Sequence, residues 1–155
     1  MTDVSTGALP QSDAVDARPA AGLTLLLKHA EQVVKQRLQP LLDEVDLTLD
    51  HWRIMSVLLV QPGLTMTTIA DSAVVPAATL TRLVDRLAEQ AIIVRRIDAA
   101  DKRRAVVALS PRGQTLARRL RAAEQSVEVD LVSAVGTDRS GALMRDLAVL
   151  PHVAG

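Results

Sequence analysis

Residues 79–113 read TLTRLVDRLAEQAIIVRRIDAADKRRAVVALSPRG. The period changes halfway along. Leu80, Leu83, Val84 and Leu87 recur at i, i+3, i+4 and i+7, the spacing of one buried helical face. Pro76 suits the first position of that helix, where its missing N–H would have had no partner, so the helix is expected over 76–90. Beyond it lie two short runs rich in β-branched residues, IIVRRI (92–97) and RAVVAL (104–109). They flank DAADKR, whose aspartates favour a turn, and together they predict a β-hairpin with a charged tip.

Working upstream, Thr65 is placed to cap a short helix over 66–73, with Ile69, Ala70 and Ala73 on its buried side. Two short helices joined by a tight turn make a helix-turn-helix. A hairpin directly after the second helix makes it winged. Thr48 caps a helix over 49–60 that sets Trp52, Met55 and Leu59 on one side, and Pro62-Gly63 ends it. Residues 22–45 carry apolar positions at helical spacing, interrupted by Pro40, which is expected to kink or split that helix. Downstream, Ser110 and Pro111 start a helix to about residue 134. Gly136 and Thr137 break it, and a last helix follows over 138–150.

The fold class predicted is mainly α with a small β-hairpin wing. The organisation expected is a flexible tail (1–20), an N-terminal helical region (21–47), a winged helix-turn-helix (48–110) and C-terminal helices (111–155). The first twenty residues, with Pro10 and Pro19, have no basic start and do not read as a signal peptide. The run LTLLL (23–27) stops at Lys28, far short of a membrane span. The expectation is a cytoplasmic protein with no membrane partner.

Composition narrows the chemistry. There is no Cys, so disulfides, thiol catalysis and Cys-based metal sites are excluded. The histidines, at 29, 51 and 152, stand at no metal-ligand spacing, and no cofactor or metal is expected. With no Phe or Tyr and one Trp, the core must be aliphatic, which favours helix-on-helix packing. No nucleophile elbow, Gly-rich phosphate loop or paired carboxylates on an apolar face is present, so an enzyme is not expected.

The formal charge of zero hides an asymmetry. Residues 76–119 hold ten basic and four acidic side chains, while the segments on either side are net acidic. A basic block on one face attracts polyanions. An α-helix fits the major groove of B-form DNA, and a hairpin beside it can reach the neighbouring backbone or minor groove. With the four aliphatic residues turned inward, Ala77, Ala78, Thr79, Thr81, Arg82 and Arg86 are left for the outer surface. Small residues let the helix come close, the threonines offer hydroxyls and methyls, Arg82 can bond a guanine edge or a phosphate, and Arg86 a phosphate. Lys102, Arg103 and Arg104 supply charge at the hairpin tip, with Asp101 folding the loop. Double-stranded DNA is the expected partner.

The runs TLTRLVDRLAEQAIIVRR and DKRRAVVALSPRG resemble the MarR family of bacterial transcriptional regulators. The resemblance rests on Thr79, on Arg82, Leu83, Val84, Asp85, Arg86 and Leu87, on Asp101 and Arg103, and on Leu109, Ser110 and Gly113. LTLDHWRIMSVLL is similar to the family's second helix, and the likeness extends over residues 23–150. One departure stands at Ala91, where the family usually has Gly; Ala tolerates a left-handed backbone poorly, so an altered helix exit is expected.

The resemblance implies a homodimer, with the first and last two helices as dimerisation helices, on a pseudo-palindromic operator, most simply as a repressor. It also implies release by a small, often aromatic, effector bound between the dimer helices and the winged domain. His29, His51, Trp52 and Arg53 are the candidate ligand residues near that junction. The alternative is a winged-helix protein-interaction module without DNA binding, which would be expected to have lost some of the basic charge that helix and wing retain.

Overall fold

The structure is a computed structural model and describes residues 21–153; the expected tail at 1–20 lies outside the described residues. Six helices and one hairpin follow in the order α1 (Leu23–Glu44), α2 (Leu49–Val60), α3 (Met66–Ala73), α4 (Ala77–Glu89), β1 (Ile93–Ile97), β2 (Ala105–Leu109), α5 (Pro111–Val135) and α6 (Thr137–Val153).

α1 does not split at Pro40; the helix runs through it. Proline removes one donor, to the carbonyl of residue 36, but Gln36 and Pro40 both face solvent, where water can satisfy that group. Leu38 and Leu42, on the opposite side, are fully buried and hold the helix together across the interruption. At α2, the Thr48 N–H donates to His51 Nδ1 at 3.0 Å, so a histidine fills the place that a Glu or Gln takes in a capping box. Thr65 accepts from the Thr68 N–H, as expected of a cap. Pro76 itself is the residue before α4, one position earlier than expected.

The core joins the two halves of the chain. Leu38, Leu42, Trp52, Met55, Leu58, Ile69, Leu80, Val84, Leu87, Ile92 and Leu120 are buried in one cluster. α5 packs against α1, α2 and α6, so it is the spine on which the winged unit and the terminal helices meet. The hairpin is antiparallel, pairing Ile93 with Leu109 and Ile97 with Ala105. Leu64 forms an additional bridge to Val107, with hydrogen bonds of 2.8 and 3.1 Å, so β2 lies between Leu64 and β1.

Two junctions have sharp requirements. Ala91 adopts the left-handed conformation (φ 56°) that would suit a glycine. The altered exit expected from Ala therefore does not occur: Ile92 N–H bonds to the Leu87 carbonyl at 2.9 Å, and the buried Ile92 side chain holds the turn in place. At the start of α5, the Ser110 hydroxyl donates to the Ala91 carbonyl at 2.6 Å and accepts from the Gly113 N–H at 3.0 Å. Gly113 lies so close to the Ile92 carbonyl that an added Cβ would sit 1.9 Å from its oxygen. The Ser-x-x-Gly spacing is thus a cap and a close approach in one motif.

Candidate nucleic-acid interface

α4 is strongly two-sided. Leu80, Leu83, Val84 and Leu87 are buried, as their spacing predicts. Ala77, Ala78, Thr81 and Arg82 are exposed, whereas Thr79 is half-buried. The exposed side also borders an open cleft of about 640 Å³, lined by His51, Ala78, Thr81, Arg82, Asp85, Arg86 and Glu89.

The arginines around this helix are not equivalent. Arg82 has no hydrogen-bond or ion-pair partner among the described residues. Arg86, expected to face outward toward a phosphate, is half-buried and donates to Asp46 Oδ2 at 2.6 Å, with Glu89 at 3.8 Å. Asp46 lies in the turn between α1 and α2, far away in sequence, which is why periodicity along α4 alone could not reveal the pair. A third arginine, Arg95 on β1, donates to Asp85 of α4 at 2.6 Å and ties the wing to the exposed side of the helix. Sequence reasoning did not single out Arg95; the RR pair in a predicted strand following Asp85 was the available signal.

The wing tip is built by its aspartates. Asp98 accepts from the Ala100 N–H at 2.9 Å and Asp101 from the Arg103 N–H at 3.0 Å. The Asp98 N–H closes the loop on the Arg104 carbonyl at 2.9 Å. Such aspartate-to-backbone bonds order a loop without help from its neighbours. Lys102, Arg103 and Arg104 consequently project into solvent from a fixed turn.

The four candidate ligand residues do not converge. His29 is exposed on α1. Trp52 is only 2% exposed, with its Nε1 3.4 Å from Glu124 Oε1, so it serves as core rather than as a stacking surface. Arg53 is taken by Glu31 and, at 3.1 Å, by Asp50. His51 faces α4. Its Nδ1 accepts from Thr48, so the neutral ring carries its proton on Nε2, which is buried without a partner. Burial, and then the charge of Arg86, hold its pKa below the usual histidine value. A different cleft, of about 500 Å³, lies between α2, α3 and α5 and is lined in part by Ser56, Val57, Leu59, Ser72, Arg121 and Glu124. Those residues come from three helices well separated along the chain, and no local pattern links them.

Comparisons with known proteins agree with this architecture. A sequence model of the MarR family matches residues 45–104, from the turn before α2 to the wing tip. The transcriptional regulator HosA of Escherichia coli O157:H7 is 32% identical over 71 residues, 46% of this chain and 53% of HosA, so the match spans about half the length of that relative. Among solved structures, NadR in complex with 4-hydroxyphenylacetate superposes with a TM-score of 0.74 at 22% identity, covering 92% of this chain and 97% of NadR. The S. aureus MepR–DNA complex gives 0.69 at 23% identity, covering 86% and 98%. The structural likenesses are likenesses of fold, that of a winged helix-turn-helix; the sequence likeness to the MarR family of transcriptional regulators runs over residues 45–104, the helix-turn-helix and most of the wing.

Proposed function

We propose that this chain is a sequence-specific DNA-binding repressor that docks as a homodimer on a pseudo-palindromic operator and releases it when a small ligand binds. One observation carries the reading. α4 offers solvent a surface of Ala77, Ala78, Thr81 and an Arg82 that is unpaired among the described residues, and the wing that follows it carries three exposed cations at an aspartate-ordered tip, on a chain of zero net charge. Small side chains allow a helix into the major groove, and a free guanidinium can bond the O6 and N7 of guanine. Lys102, Arg103 and Arg104 are then phosphate or minor-groove contacts. The target fixes the compartment as the cytoplasm.

Pairing is supported by what α1 and α6 leave uncovered. Leu23, Leu25, Leu26, Leu143, Met144 and Leu147 are exposed on terminal helices, apolar side chains that a second copy could cover. A two-fold pair would set its recognition helices about one DNA turn, roughly 10 base pairs, apart.

For the ligand, the cleft between α2, α3 and α5 replaces the residues expected from sequence. It combines apolar walls with two hydroxyls and an Arg121 guanidinium already paired with Glu124 at 2.8 Å and Glu128 at 2.9 Å, a lining suited to a small aromatic molecule that bonds through hydroxyl groups. A relative by fold, NadR, has been crystallised with such a compound.

The deciding experiment is DNA binding by the purified chain at several salt concentrations. With about six to ten phosphates neutralised per dimer, affinity should fall on the order of a thousandfold or more between 50 and 200 mM salt. An affinity indifferent to salt would reject the reading.

A further inference from the structure

Two of the three arginines around the recognition helix are held by aspartates, and one of those aspartates is placed by a tertiary turn. Asp46 adopts a left-handed backbone (φ 51°) between α1 and α2. That conformation carries its carboxylate to Arg86 at 2.6 Å. The same turn is fastened to the end of α4 a second time, by Gln90 Nε2 donating to the Val45 carbonyl at 2.7 Å. Asp46 is largely solvent-exposed, so burial does not explain why a carboxylate stands there. Its effect is electrostatic: it pairs one cation and adds one fixed negative charge beside the cleft shared by His51, Arg82 and Arg86.

Resting on the DNA-binding reading above, the geometry assigns Asp46 as the residue that withdraws Arg86 from the phosphate-contacting set and so limits affinity for DNA of any sequence. Phosphate contacts supply nearly all non-specific binding, and each adds to affinity and to its salt dependence. An arginine that must leave a carboxylate to reach a phosphate, and leave that carboxylate beside the polyanion, gains little. The result suits a protein that must find few operators among many competing sites, because the sequence-independent share of its affinity is kept low. Arg82, unpaired among the described residues, keeps its capacity to read bases.

The test uses the full chain and a random-sequence duplex, with binding followed by fluorescence anisotropy from 50 to 200 mM salt. Asp46→Asn removes the charge but keeps the shape, and asparagine also tolerates the left-handed backbone. It should tighten binding fivefold to tenfold, an order-of-magnitude estimate for 0.1 M salt, and steepen the salt slope by about 0.9 for each phosphate gained per protomer. Arg86→Gln alone should leave the slope at the wild-type value, and the double variant should return to it. Matching thermal melts confirm that the fold is intact. The assignment is overturned if Asp46→Asn weakens binding or leaves the slope unchanged, or if Arg86→Gln flattens the wild-type slope, since Arg86 would then already touch phosphate. Wild-type protein with no salt-dependent binding is a separate result, which removes the DNA-binding reading itself and this assignment with it.

Discussion

Ala91 and His51 each depart from what local rules would choose. A left-handed alanine costs about 1–2 kcal/mol, of which a glycine would give back about 0.4–1 kcal/mol through greater freedom of the unfolded chain. Ala91→Gly should therefore stabilise the protein by about 0.5–1 kcal/mol, raising the melting temperature by roughly 1–4 °C. An unchanged or lower melting point would show that the turn is not strained. His51 has a folded pKa below its ordinary value, from burial first and then from Arg86. Its unfolded form binds the proton more readily, so stability is fully present above the unfolded pKa of about 6.5 and declines as pH falls from there toward the folded value. His51→Gln keeps an acceptor for the Thr48 N–H but does not titrate. The variant should lose part of the fall in melting temperature between pH 7.5 and 5.5, and parallel curves would contradict the assignment. The helical position of His51 was legible from the chain; its role as a cap partner was not, because that depends on a ring nitrogen meeting a backbone donor.

The elements were legible nearly to the residue, because α4 has helical spacing and the wing has β-branched runs between aspartate-rich turns. Their attachment was less so. Ser110 and Gly113 were visible as a cap and a motif, but the reason for glycine is a carbonyl on another element. Gly113→Ala should force α5 away from the Ile92 carbonyl and destabilise by about 3 kcal/mol, a loss measurable by denaturant titration; a change under 1 kcal/mol would mean the junction relaxes freely. Helix and wing should also separate in function. Arg82→Ala is expected to relax base preference at one position of each half-site, at a cost of about 1–3 kcal/mol on the preferred sequence only. Arg103→Ala should weaken all sequences alike and reduce the salt slope by about one per protomer. Binding selection on a randomised operator separates the two, and identical effects at both positions would mean the surfaces have been assigned wrongly.

Across the whole molecule, one core joins the winged unit to α1 and α5, while the outer sides of the terminal helices stay uncovered. α6 packs on α5, yet Leu143, Met144 and Leu147 remain exposed, as do Leu25 and Leu26 on α1. If these surfaces meet across a two-fold axis, Leu147→Glu should yield a monomer by sedimentation and sharply reduce operator affinity, because one recognition helix then binds without the other. A Leu147→Glu protein that still sediments as a dimer would place the interface elsewhere. The candidate ligand residues do not converge within one chain. His29, His51, Trp52 and Arg53 are near one another along the chain or on neighbouring helices, but a cavity is made of side chains that converge, and these point apart.

The chain by itself determined the winged helix-turn-helix: the switch of period at residues 91–92, the caps and the basic block are local patterns, written within a few residues of where they act. Tertiary structure alone decided which cations are free. Asp46 meets Arg86 and Asp85 meets Arg95 only once a turn and a strand have been folded against α4, and the same folding commits Trp52 to the core and opens a cleft beside Arg121. Charge is counted along a sequence, but it acts through distance, and distances between remote residues exist only in the folded chain.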